Sequence, residues 1–101
     1  MAVVLTFEWE GFAPEYYDEL GQKVGWEDDP PEGNQFHVAW FEDDAIHVID
    51  VWDSEQEFHR FFNDRLKPVL KEMKVAGEPR LRFRKLHNKL NPEAKKAKAG
   101  G

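Results

Sequence analysis

His37 and Asp50 are the residues whose types and placement best suit proton-transfer chemistry. They lie in two apolar segments, Gln35–Phe41 and Ile46–Trp52, separated by Glu42-Asp43-Asp44-Ala45. With Asp43-Asp44 as a two-residue hairpin loop, counting outward sets His37 opposite Asp50. A carboxylate beside an imidazole fixes its tautomer and stabilises the imidazolium, which a general base needs. The same count sets Phe41 opposite Ile46, Ala39 opposite Val48 and Gln35 opposite Trp52. Trp52 and Phe41 are then placed to stack on a flat aromatic ligand, with Gln35 beside them. Arg82 or Arg84 could stabilise a developing oxyanion. Glu8 could pair with either arginine or stand at the mouth of the site. On this reading His37 takes a proton from a bound ligand, and the sequence requires no metal or flavin for that. The plain alternative is structural. A cross-strand His–Asp pair contributes up to about 1 kcal/mol to a sheet and satisfies polar groups at a buried interface.

Other chemistries find no support. The chain has no cysteine, which excludes disulfides, thiolate nucleophiles and cysteine-ligated metals. His47, His59 and His87 lack a metal-ligand spacing, so no metal site is expected. The clusters Glu27-Asp28-Asp29 and Asp43-Asp44 lack the ordered alternation and glycine of a calcium loop and read as solvated turns. No phosphate-binding glycine loop and no nucleophile-elbow motif occurs. A net charge of −6 argues against nucleic acid as a partner. No apolar run approaches the ~20 residues that span a membrane. The first residues lack the basic region and cleavage site of a signal peptide, so a cytoplasmic protein is expected.

The elements that position these residues follow from periodicity. Val3, Leu5, Phe7 and Trp9 alternate with Val4, Thr6 and Glu8, the period of a strand. Pro14 suits the first turn of a helix, whose face carries Tyr17, Leu20 and Val24 and which Gly25 ends. Pro30 and Pro31 make the stretch Trp26–Gly33 a loop, in which Trp26 could lid a pocket. The hairpin follows. Ser54-Glu55-Gln56-Glu57 reads as a capping box opening a second helix. Its stripe is Phe58, Phe61, Phe62, Leu66, Val69 and Met73, with a kink or break expected near Pro68. Pro79–His87 is the last strand. The order β-α-β-β-α-β predicts an α+β, ferredoxin-like domain over residues 1–90: a four-stranded antiparallel sheet with two helices on one face. The Lys-rich segment 91–101 reads as a disordered tail.

The two faces of the hairpin differ. Trp40 with His47, Val38 with Ile49 and Phe36 with Val51 form the more uniformly apolar face, expected under the helices. Val3, Leu5, Phe7, Trp9, Leu81 and Phe83 are expected there too. The other face, with His37, Asp50, Phe41, Ile46, Val48 and Trp52, joins Thr6, Glu8, Arg82 and Arg84 and is too apolar to face water. A second copy of the sheet would cover it, so a homodimer is expected.

The run Ile49-Asp50-Val51-Trp52-Asp53-Ser54-Glu55-Gln56-Glu57-Phe58 resembles the approach to the second helix in dimeric α+β barrel proteins, the group around the antibiotic biosynthesis monooxygenases. Phe36-His37-Val38-Ala39-Trp40-Phe41 is similar to the preceding strand. The resemblance covers roughly Val3 to His87. It implies a dimeric barrel and a pocket between the sheet and the helices or the dimer mate. It also implies reactions such as cofactor-free oxygenation of phenolic polyketides. The haem-degrading branch carries a Trp and a His ligand where this sequence has Phe61 and Lys71, so no haem is expected. Two functions remain open: a small-molecule-binding enzyme of this kind, and a non-catalytic dimerisation module. A pocket of ~300 Å³ or more favours the first. A filled interior, with His37 and Asp50 satisfied by one another, favours the second.

Overall fold

The structure is a computed structural model and describes residues 1–90; the Lys-rich segment expected to be a tail lies outside them. Along the chain come β1 (Val3–Glu10), α1 (Pro14–Val24), β2 (Asn34–Glu42), β3 (Ala45–Trp52), α2 (Glu55–Phe61), a π-helical turn (Phe62–Leu66), α3 (Lys67–Glu72) and β4 (Arg80–Lys85). The strands form one sheet in the order β2-β3-β1-β4. Every neighbouring pair is antiparallel. This is the expected ferredoxin-like α+β fold.

Local chemistry explains each boundary. Pro14 opens α1, and Gly25 closes it in the left-handed region with its N–H bonded to the Gly21 carbonyl. Asp43 and Asp44 turn the hairpin with φ of 55° and 59°, the backbone of a type I′ turn, which aspartate tolerates. Ser54 caps α2 by accepting from the Glu57 N–H at 3.3 Å. The return half of the expected capping box does not form, because the Glu57 carboxylate lies against Arg60 instead. Pro68 has no N–H to offer Asp64, and the helix answers with the wide turn Phe62–Leu66 just before it. That turn shifts the phase of the apolar stripe: beyond it Leu70 is buried, whereas the expected Val69 and Met73 are half-buried.

The core lies between the helices and one face of the sheet. Register decides which face. Leu5 stands opposite Asp50, Phe7 opposite Val48 and Trp9 opposite Ile46, and opposed residues in an antiparallel pair share a side. Leu5, Trp9, Ile46, Val48 and Trp52 are all buried with Phe58, Phe61, Leu66 and Leu70. The expectation for β1 is therefore met, and the expectation for the hairpin is reversed. The face with His37, Asp50 and Trp52 lies under the helices. The face with Phe36, Val38 and Trp40 is open, and these three are 47%, 40% and 40% exposed. The whole sheet explains the reversal. Thr6, Glu8, Glu10, Arg82 and Arg84 load the open face with polar groups from β1 and β4. The helix side carries only His37, Asp50 and, at the start of β2, Asn34 as polar hairpin residues, and all three find partners. No buried side-chain nitrogen or oxygen among the described residues lacks a hydrogen bond.

Candidate functional site

β2 and β3 bring His37 and Asp50 face to face, in the register that the turn dictates. His37 Nδ1 lies 2.6 Å from Asp50 Oδ1. Trp52, two residues along the same face of β3, donates its indole N–H to Asp50 Oδ2 at 3.1 Å. The carboxylate can only accept, so Nδ1 carries the imidazole proton and donates it. In the neutral imidazole Nε2 is then an acceptor, and the Tyr17 hydroxyl stands 2.7 Å from it. The order Tyr17, His37, Asp50, Trp52 is one continuous hydrogen-bonded chain running from α1 into the sheet.

Asp50 is buried and Trp52 is 1% exposed, whereas the His37 side chain is 38% exposed. The acid is thus fixed and the imidazole reachable. Burial, and then the negative charges of Asp50, Asp18 and Glu27, push the Tyr17 phenol above its ordinary value of 10.0. The Tyr17 ring lies parallel to the imidazole with centroids 6.1 Å apart. Trp26 at 5.3 Å and Phe41 at 6.3 Å hold it in place.

This chain borders a cavity of about 230 Å³ between the sheet and the helices. Phe7, Trp9, Ile46, Val48 and Trp52 form its floor. Leu20, Phe58, Phe61, Leu66 and Leu70 form its roof. Trp26, Pro30 and Pro31 of the loop close one side, so the expected lid position of Trp26 is met. Arg65, on the π-helical turn, pins that loop by donating to the Val24 and Asp29 carbonyls at 3.2 and 2.8 Å. The cavity is smaller than the ~300 Å³ from which pockets for drug-sized ligands start. It suits roughly one or two fused rings rather than an extended polycycle.

The other residues expected at the site divide. Phe41 meets the site only through Tyr17. Trp52 lines the cavity floor. Gln35 does not stand opposite Trp52: the register shifts between Asn34 and Phe36, and Asn34 takes that place. The bulge turns Gln35 outward, where it donates to Asp53 at 2.8 Å. Asn34 lines the cavity instead. Glu8, Arg82 and Arg84 project from the opposite face of the sheet, because they alternate with Phe7, Leu81 and Phe83. None of the three lines the cavity. Glu8 pairs with His47 at 3.1 Å and Arg80 at 3.3 Å rather than with Arg82 or Arg84. Arg84 donates to the Thr6 hydroxyl at 3.2 Å. The arginines therefore cannot serve an oxyanion formed beside His37 in the same protomer. Tyr17 is the residue that sequence reasoning missed. Its place on the apolar stripe of α1 marked it as packing, and only the crossing of α1 over β2 aims its hydroxyl at His37.

Among the described residues no group of three or more His, Asp and Glu is gathered as metal ligands. No described helix is long and apolar enough to cross a membrane.

No family model and no curated protein matches the sequence. Solved structures match the fold. The NE2512 protein of unknown function from Nitrosomonas europaea is 17% identical, with a TM-score of 0.66 over 89% of this chain and 94% of that one. SnoaB, a cofactor-independent oxygenase from Streptomyces nogalater, is 14% identical, with a TM-score of 0.60 over 88% and 95%. A monooxygenase from the gene ActVA-Orf6 of Streptomyces coelicolor, solved with the ligand nanaomycin D, is 18% identical, with a TM-score of 0.58 over 90% and 92%. The chain has the ferredoxin-like fold shared by the antibiotic biosynthesis monooxygenase-like proteins, as its resemblance implied.

Proposed function

We propose that this protein binds a small, flat, phenol-like compound in the cavity between sheet and helices and uses His37 as a general base. The observation that carries this is the opening of an Asp-oriented imidazole onto a largely apolar cavity. Apolar walls with few convergent polar groups are the usual make-up of a ligand site. Asp50 stabilises the imidazolium that forms when His37 takes a proton. The substrate anion would pass electrons to dioxygen; one oxygen atom enters the ring as a quinone carbonyl and the other leaves as water. The neighbours described as cofactor-independent oxygenase and monooxygenase support this class of reaction. In the same reading a second copy covers the open sheet face.

A non-catalytic dimerisation module is the second reading. It is favoured by the modest cavity volume and by the full hydrogen bonding of His37 and Asp50.

A thermal-shift screen with one- and two-ring phenols separates them. A ligand at a hundred times its Kd stabilises the folded state by about 2.7 kcal/mol. The first reading expects a clear shift, lost in His37→Ala while the dimer persists. No shift with any such compound favours the second.

A further inference from the structure

We propose that Tyr17 is the proton relay of this site: a ligand hydroxyl hands its proton to Tyr17 Oη while Tyr17 hands its own to His37 Nε2. The proposal rests on the reading of His37 as the base. Its ground is that neither imidazole nitrogen is free. Asp50 holds Nδ1 at 2.6 Å and Tyr17 holds Nε2 at 2.7 Å. A ligand that addressed the imidazole directly would have to break the Tyr17 bond. That ring is wedged between Trp26 and Phe41. A hydroxyl that donates one hydrogen bond still has lone pairs with which to accept another. Tyr17 borders the same cavity as His37, so its oxygen is the acceptor a ligand there can use.

The transfer balances. The ligand O–H bond breaks as a new Tyr17 O–H bond forms. The former Tyr17 O–H bond breaks as the His37 Nε2–H bond forms. The electron pair stays on the ligand oxygen, His37 becomes an imidazolium beside the Asp50 carboxylate, and Tyr17 ends neutral. Its neutrality matters, because burial and the charges of Asp50, Asp18 and Glu27 all oppose a standing phenolate. Tyr17 therefore passes a proton without storing the charge. The direction of its hydroxyl also reverses. Before transfer it accepts from a ligand O–H, and afterwards it donates to the ligand oxygen. A site of this kind suits hydroxyarenes whose oxygen becomes a carbonyl during reaction.

The experiment compares binding of 2-naphthol, 2-methoxynaphthalene and naphthalene to the wild-type protein and Tyr17→Phe. The phenylalanine keeps the ring and removes only the hydroxyl. The relay expects wild type to prefer the naphthol over its methyl ether by roughly fivefold to tenfold, the worth of one hydrogen bond. Tyr17→Phe should lose that preference while its affinity for naphthalene stays within about twofold of wild type. In the wild-type protein Tyr17 should stay a neutral phenol when naphthol binds, whichever partner its hydroxyl faces, as read from its ring Cζ chemical shift. An undiminished naphthol preference in Tyr17→Phe, tighter naphthol binding there, or a phenolate shift at Tyr17 on naphthol binding would overturn the relay. Tighter binding would mean that Tyr17 merely blocks the base. Failure of wild type to bind any of the three probes would overturn the ligand site itself, and the relay with it.

Discussion

Trp52 and Asp50 are joined by an indole N–H to carboxylate bond of 3.1 Å within one buried face of β3. The same carboxylate takes His37 on its other oxygen. Two donors therefore depend on one buried side chain. Asp50→Ala should cost about 2–4 kcal/mol, because it strands both donors and leaves space behind. Asp50→Asn should cost less, since its amide oxygen can still accept from one of them. Urea denaturation of the three proteins checks the order. Equal stability of Asp50→Ala and wild type would mean that the pair contributes nothing to the fold.

Tyr17 gives the molecule a signature in alkali. Its phenol is held above 10.0 by burial, then by Asp50, Asp18 and Glu27. The folded protein thus keeps a proton that the unfolded chain releases near pH 10. Stability associated with this group is fully present below about pH 10 and falls as the pH rises through the folded-state pKa. Tyr17→Phe should flatten that fall. An ultraviolet titration of wild type minus Tyr17→Phe should place the Tyr17 transition above 10. A difference transition at or below 10 would contradict the burial of this hydroxyl.

Gly33 shows how the loop over the cavity is fastened. It has φ of 87°, its carbonyl accepts from the Asp53 N–H at 2.7 Å, and an added Cβ would lie 2.7 Å from Glu57 Cγ. Gly33→Ala meets both backbone strain and a crowded neighbour, so a loss of about 1–3 kcal/mol is expected by thermal or chemical denaturation. Gly11→Ala is the control: its φ is 76°, but nothing lies within 4 Å of its added Cβ. It should cost less than Gly33→Ala, and the reverse order would refute the crowding.

The elements and their order were legible in the sequence because period, proline, glycine and the hairpin turn act locally. The turn alone placed His37 against Asp50 correctly. The side on which that pair would lie was not legible from the hairpin, because burial is decided by all four strands. The pairing of Leu5 with Asp50 settled it. The polar load of Thr6, Glu8, Arg82 and Arg84, already visible, outweighed the apolar Phe36, Val38 and Trp40. Gln35 was misplaced by a bulge that no residue in the run announces. Tyr17 depended on how α1 crosses β2, which periodicity does not specify.

The exchange of faces changes what a dimer would bury. Phe36, Val38 and Trp40 are 47%, 40% and 40% exposed on the open side of the sheet. They form an apolar patch with Ile49 of β3, and Thr6 and Glu8 of β1 border it. A second copy on this face would leave the His37 cavity wholly within each protomer. Val38→Asp places an unpaired carboxylate in the middle of the patch, opposite Ile49. Desolvating it twice across a two-fold axis should weaken association by about 100-fold or more. Light scattering coupled to size exclusion should find wild type as a dimer at micromolar concentration and Val38→Asp as a folded monomer. Phenol binding should survive in that monomer, because the cavity lies on the helix side of the sheet and the patch on the other. A wild-type monomer would refute the dimer. A dimeric Val38→Asp would move the interface elsewhere. Loss of ligand binding on dissociation would show that the partner completes the site.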